Sequence, residues 1–130
     1  MIRKAKWAIK EAKLRISYKM AKDCLFCKIL KGEIISEIIA QNEGAFAIYD
    51  INPVAKVHIL IVPKKHIDSV LTFKKTDGEV LVAMFDLAGD LVKKMGLDAF
   101  RLSFNGGRFQ HVGHLHMHLL AGSKIDWERL

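Results

Sequence analysis

Seven residues, His114-Leu115-His116-Met117-His118-Leu119-Leu120, constrain this chain more than any other stretch. Extended backbone sends alternate side chains to opposite faces. Three imidazoles then line one face of a strand, while Leu115, Met117 and Leu119 enter a core. His111 lies just ahead, so four of the six histidines fall within eight positions. Three imidazoles on one face do not make a packing solution, because each ring needs hydrogen-bond partners. The pattern points to chemistry of one of two kinds: a His-x-His metal site, or covalent catalysis by an imidazole nucleophile.

Around the heptad the chain reads as α+β. Cys27–Lys31 suits a short helical turn stopped by Gly32. Ile34–Gln41 and Ala45–Tyr49 are apolar, β-branched runs split by Asn42-Glu43-Gly44, the pattern of a hairpin. Asp50-Ile51-Asn52-Pro53 opens a loop, and His58–Val62 reads as a buried strand ended by Pro63. Over Asp77–Lys94 apolar residues recur at helical spacing (Val80, Met84, Leu87, Leu91). Lys93 and Lys94 suit the C-terminal dipole of that helix, and Gly96 suits its stop. Phe100–Phe104 is a strand, Asn105-Gly106-Gly107 a loop, and Val112–Leu120 the last strand, broken by Gly122. The expected fold is α+β, an antiparallel sheet of about five strands with one main helix.

Charge divides the chain in two. Residues 1–22 carry eight Lys and Arg against Glu11 alone, whereas 23–130 carry 13 basic and 13 acidic residues. The whole surplus of +7 therefore belongs to a leader, and the domain at 23–130 is neutral. General nucleic-acid affinity is not expected of such a domain. In the leader Ile2, Ala5, Ile9, Ala12, Ile16 and Met20 fall on one helical stripe, with Trp7, Leu14 and Tyr18 clustered roughly opposite. A solvated or core-docked helical extension, a mitochondrial presequence and a membrane-surface helix all fit that pattern. Met20 is also a candidate natural start. No stretch has the length of apolar sequence a membrane span needs. Cys24-Leu-Phe-Cys27 cannot form a disulfide framework; it reads as a metal or redox pair in a reducing compartment, and the location expected is cytoplasmic, or mitochondrial if the leader is a presequence.

At the heptad the sequence resembles the histidine triad (HIT) family, whose signature is His-φ-His-φ-His-φ-φ with φ apolar. Further segments match in order. Cys24–Ile34 resembles the family's opening, and Tyr49-Asp50-Ile51-Asn52-Pro53 its nucleoside-binding loop. His58–Ile67 resembles the central strand and its exit. Trp127, nine residues after His118, is similar to the short tail of the Hint branch. The resemblance covers about 23–127.

The resemblance implies a hydrolase acting on the α-phosphate of nucleoside phosphoramidates, of the AMP-lysine or AMP-amine type. In that reading His116 attacks phosphorus, and water then hydrolyses the nucleotidyl-histidine, which splits one hard displacement into two easier ones. No metal ion is required for that chemistry. His118 holds the phosphoryl oxygens and compensates their growing charge. His114 orients the central ring through its backbone or side chain. Asp50 accepts the ribose hydroxyls, and Ile34, Tyr49 and Ile51 wall the base of a purine mononucleotide, an AMP or GMP derivative. Asn105 and Gln110 match polar residues near the phosphate.

The chain departs from the Hint pattern before the triad. Where that pattern has Gly-Gly-Gln-Ser-Val, this chain has Gly107-Arg108-Phe109-Gln110-His111-Val112, and the Asn105-to-Gln110 spacing is two residues shorter. His111 thus replaces the hydroxyl that assists the leaving group. An imidazolium there can donate a proton to a departing amine or alkoxide, and activity is expected to persist with an altered pH dependence. Arg108 offers an added phosphate contact.

Two thiolates at the Cys24–Cys27 spacing make half of a tetrahedral zinc site. In branches of the family that keep the pair, two histidines complete it. His66 and His114 are the candidates, with His58 the alternative to His66, and the ion expected is structural. Two reduced, buried cysteines without metal are the simpler alternative. The resemblance also implies a homodimer paired through the 77–94 helix and the Phe100–Phe104 strand, with Leu81, Val82 and Phe85 available for the interface. Two other functions fit: a dinucleoside polyphosphate hydrolase or nucleotidyltransferase of another HIT branch, and a nucleotide- or zinc-binding module without turnover.

Overall fold

Residues 23–130 are described by the structure, a computed structural model. The readings of the leader as a helix, a presequence or a surface anchor lie outside them. Among the described residues no helix is long and apolar enough to cross a membrane.

Helix α1, Leu25–Lys31, is capped at its start by Cys24, whose Sγ accepts the Cys27 N–H at 3.4 Å. Gly32 ends it in the left-handed region (φ 82°), a conformation a Cβ would strain, and donates its N–H back to Ile29 O and Lys28 O. Five strands follow: β1 Ile38–Gln41, β2 Ala45–Tyr49, β3 Val57–Pro63, β4 Phe100–Phe104 and β5 Met117–Ala121. They form one antiparallel sheet in the order β1-β2-β3-β5-β4. The hairpin turn is built by Asn42, whose Oδ1 accepts the N–H groups of Gly44 and Ala45 at 3.0 and 2.9 Å. Its Nδ2 donates to Ala83 O at 2.8 Å, which ties the turn to the main helix. Gly44 permits that approach, because a Cβ there would lie 2.7 Å from the Ala83 Cβ.

Helix α2, Gly78–Met95, covers one face of the sheet. Met84, Leu87, Ala88 and Leu91 pack there on Ala45, Ala47, Ile59, Ile61, Met117 and Leu119. Asp77, expected as the first helical residue, closes a short 3₁₀ turn instead. Its buried carboxylate accepts the Lys74 N–H at 3.0 Å and pairs with the Lys65 ammonium. The other face carries the alternate residues Phe46, Ile48, Leu60 and Val62, covered by Phe26, Ile29 and Leu30 of α1. His58, His116 and His118 belong to this second face, so α1 and the histidines share one side of the sheet.

Two strands start several residues later than expected, and the other strand ends fall within one residue of expectation. The run Ile34–Gln41 becomes strand only at Ile38, because β2 ends at Tyr49, one residue past the partner of Ile38, and offers no backbone to 34–36. The last strand starts at Met117 rather than Val112. Its outer partner β4 ends at Phe104, opposite Met117, and the chain before Met117 turns to follow the segment beyond β3, with Leu115 N–H donating to Ile67 O at 2.7 Å. Only His118 of the triad therefore lies in a regular strand.

Candidate active site

A cavity of about 480 Å³ opens on the α1 face. Ile34, Ile51 and Tyr49 line it with Leu25, Phe26 and Ile29 of α1, and Asp50, His58, His111, His116 and His118 supply the polar wall. Ile51 is 90% exposed, a large apolar side chain left at the mouth of a concave site.

His114 does not reach the cavity. It is fully buried, and its backbone carbonyl accepts the His116 Nδ1–H at 2.8 Å. That bond fixes the proton of neutral His116 on Nδ1 and leaves the Nε2 lone pair unprotonated. Burial is the largest influence on His116 and lowers its pKa; the bond to the His114 carbonyl opposes this only in part. The result is a neutral imidazole with a free nitrogen, the form a nucleophile requires.

His118 receives the opposite tautomer through a relay. The Val54 N–H donates to His58 Nδ1 at 3.1 Å, so neutral His58 carries its proton on Nε2. His58 Nε2–H then donates to His118 Nδ1 at 2.8 Å, with Asp50 Oδ2 3.3 Å from the same nitrogen. His118 therefore holds its own proton on Nε2, where it can be donated. Burial, then the neighbouring His116, His58 and His111, push its pKa down to about 3. His118 thus acts as a neutral hydrogen-bond donor. The same geometry argues against a metal at Asp50, His58 and His118, although their ligand atoms lie close together. With Nδ1 accepting a backbone N–H, neutral His58 has no free lone pair on Nε2.

The polar residues of the 105–111 loop separate. His111 lines the cavity. The Asn105 amide stands 3.4 Å from His118 Nε2. Gln110 is turned away: its Nε2 donates to Asp68 O at 2.7 Å and to Val112 O at 2.9 Å, which braces the loop entering the triad. Arg108 lies over the Phe109 ring, 5.4 Å from its centroid, and neither residue lines the cavity. Sequence reasoning missed Phe26 and Arg129, which also border the cavity, and it missed the place of His58. Alternation alone puts His58 and Leu60 on one face, but only the Leu60↔His118 register brings His58 to His118.

Behind the triad, Cys24, Cys27, His66 and His114 converge, with all four donor atoms within 4.8 Å of one another. His114 Nδ1 is 3.2 Å from Cys24 Sγ and 3.6 Å from Cys27 Sγ, and His66 Nδ1 is 3.4 Å from Cys27 Sγ. A tetrahedral ion with bonds of about 2.3 Å to sulfur and about 2.0 Å to nitrogen has edges of roughly this size. The second nitrogens are committed: His114 Nε2–H donates to Pro63 O at 2.8 Å, and His66 Nε2–H to Asp68 Oδ1 at 2.7 Å. If both rings are neutral, both Nδ1 lone pairs face inward, 3.1 Å apart. The Cys24 thiol is held down to about 3, chiefly by its hydrogen bond with Cys27 and secondarily by His114, against the effect of burial. Lone pairs and thiolate converging on one point fit a zinc-type cation.

Comparison with known proteins agrees with the geometry. Residues 23–129 match the family profile described as scavenger mRNA decapping enzyme C-term binding. An uncharacterized HIT-like protein of Synechocystis is 35% identical over 111 residues, covering 83% of this chain and 97% of the relative. A histidine triad protein from Clostridium difficile superposes with a TM-score of 0.77 at 39% identity, covering 82% of this chain and 96% of its own. A HIT family hydrolase from Clostridium thermocellum gives 0.76 at 38% identity, over 81% and 95%.

Proposed function

The chain belongs to the histidine triad (HIT) family, and on that premise we propose that it hydrolyses nucleoside phosphoramidates at the α-phosphate through a nucleotidyl-histidine on His116. The hydrogen bond from His116 Nδ1 to the His114 carbonyl carries this reading, because it leaves a lone pair on the ring nitrogen that would attack. The substrate is a purine mononucleotide derivative, its base between Ile34, Tyr49 and Ile51 and its ribose diol on Asp50. His118 Nε2–H stabilises the phosphoryl oxygens as charge develops on them. His111, at the cavity wall, protonates the departing amine, which takes the electron pair of the broken P–N bond. Water then displaces His116 and releases the mononucleotide.

Zinc in the Cys24, Cys27, His66 and His114 set has a structural role in this reading, and no reaction step passes through it. Val82, Phe85 and Phe100 expose large apolar side chains on α2 and β4, and in this reading they face a second copy of the chain.

The test is hydrolysis of an adenosine phosphoramidate, with mass spectrometry of the quenched enzyme. An adenylyl group on the peptide containing His116 is expected during turnover. Faster turnover of a dinucleoside polyphosphate would place the chain in another HIT branch. Binding of AMP without turnover of either substrate would reduce it to a binding module.

A further inference from the structure

Helix α1 borders both the four-donor cluster and the cavity. Cys24 caps the helix and Cys27 lies in its first turn, so two of the four donors belong to it. Leu25, Phe26 and Ile29 of the same turns form one wall of the cavity. Phe26, 2% exposed, joins the two sites. Its ring meets His114 and His116 edge-on, with centroids 5.6 and 5.2 Å apart and interplanar angles of 86° and 70°. His114 gives its Nδ1 to the cluster and its carbonyl to His116.

The helix is poorly able to hold that position alone. It has seven residues, too few for a stable isolated helix, and no acidic side chain in its first turn. It is held by burial of Phe26, Cys27, Ile29 and Leu30 against the sheet and by the contacts of its two cysteines. A cation among the four donors turns facing sulfur and nitrogen lone pairs into bonds and fixes the start of α1 against the segments that carry His66 and His114. A nucleotide in the cavity presses on the same helix from the other side of Phe26.

We propose that a zinc-type ion in the Cys24, Cys27, His66 and His114 set and a mononucleotide in the cavity bind cooperatively, coupled through α1 with Phe26 as the positioning residue. The coupling rests on the nucleotide reading of the cavity. By linkage it is reciprocal: whatever factor the ion adds to nucleotide affinity, the nucleotide adds to ion affinity. The cluster then does more than stabilise the fold. It sets how firmly one wall of the substrate site, and the ring packed on His116, are held.

The experiment uses the full chain loaded with zinc. Zinc affinity is measured at equilibrium by competition with a chromophoric chelator, with and without saturating AMP and with a correction for zinc taken up by AMP itself, and calorimetry measures AMP binding to the loaded protein. AMP is expected to tighten zinc binding by about fivefold or more. The variant Phe26→Leu keeps an apolar side chain without the ring; it is expected to bind both ligands and to show the same zinc affinity with and without AMP. Because that readout is a ratio within one variant, general destabilisation does not imitate it. An unchanged affinity in wild-type protein that binds both ligands overturns the coupling and leaves the nucleotide reading intact. Full tightening in Phe26→Leu also overturns it, since the ring is then not the link. Failure to bind zinc removes the coupling alone. Failure of the zinc-loaded chain to bind AMP removes the nucleotide reading, and the coupling with it.

Discussion

His116 Nδ1 donates to the carbonyl of His114, two residues back, across 2.8 Å. The backbone of one triad member thereby selects the tautomer of the next. Replacement of the ring, His116→Ala, is expected to lower hydrolysis of an adenosine phosphoramidate by at least about 10³-fold. AMP should still bind, since Asp50 and the apolar wall are untouched. Turnover surviving intact in this variant would show that His116 is not the nucleophile.

His58 sets the proton of His118 and is predicted to act on kcat more than on KM. In His58→Leu the donor to His118 Nδ1 is gone, and kcat should fall by about tenfold or more. His58→Gln, whose amide N–H can replace that donor, should recover part of the loss. Equal rates for the two variants would remove the relay from the mechanism.

The role given to His111 depends on the leaving group. With an amine leaving group, His111→Ala should reduce kcat/KM by about 10²-fold, because the departing nitrogen needs a proton. With a nitrophenolate leaving group, which departs as a stable anion, the change should be small. Equal losses on both substrates would make His111 a binding residue only.

Acid should destabilise the domain in a defined window. His58 and His118 have lowered pKa values in the folded protein, chiefly from burial, so the unfolded chain binds more protons than the native one. Their contribution is complete above the unfolded value, about 6.5, and is lost as pH falls, for His118 down to about 3. Urea denaturation from pH 7 to pH 4 should show wild-type stability falling with pH. His118→Asn should fall less steeply, and parallel curves for the two proteins would refute the assignment.

Gly44→Ala tests the fold apart from the site. The added methyl would lie 2.7 Å from the Ala83 Cβ, and a cost of about 1–3 kcal/mol is expected in denaturant titration. Activity per folded molecule should be unchanged, because the turn lies on the α2 side of the hairpin.

Local pattern carried much of this architecture into the sequence. The Asn42-Glu43-Gly44 turn and the three- and four-residue spacing of α2 act over a few residues, and each matches its element, whereas the heptad is strand only from Met117 onward. Long-range register did not. Residue type alone makes His58 an alternative ligand beside the cysteines, whereas strand pairing puts it beside His118 and leaves His66 to the cysteines. Gln110 differs for a related reason: the family pattern puts it near the phosphate, but its amide is taken by Asp68 O and Val112 O, two acceptors that spacing does not reveal. The end of β4 at Phe104, the partner of Met117, likewise marks where β5 begins, a constraint set by strand pairing and not by the heptad itself.

The β3–β5 pairing has a consequence for how the chain acquires its shape. Turn-sized loops separate β1, β2 and β3, so that meander can form early, but Ile61 must wait for Met117. Closing so long a loop precedes any reward from the contacts it makes, which places this step among the slow ones. During synthesis β3 is an open edge of Ile59, Ile61 and Val62 until residues 117–121 emerge. The strand at the centre of the finished sheet is therefore the segment of the growing chain most exposed to pairing with a neighbour.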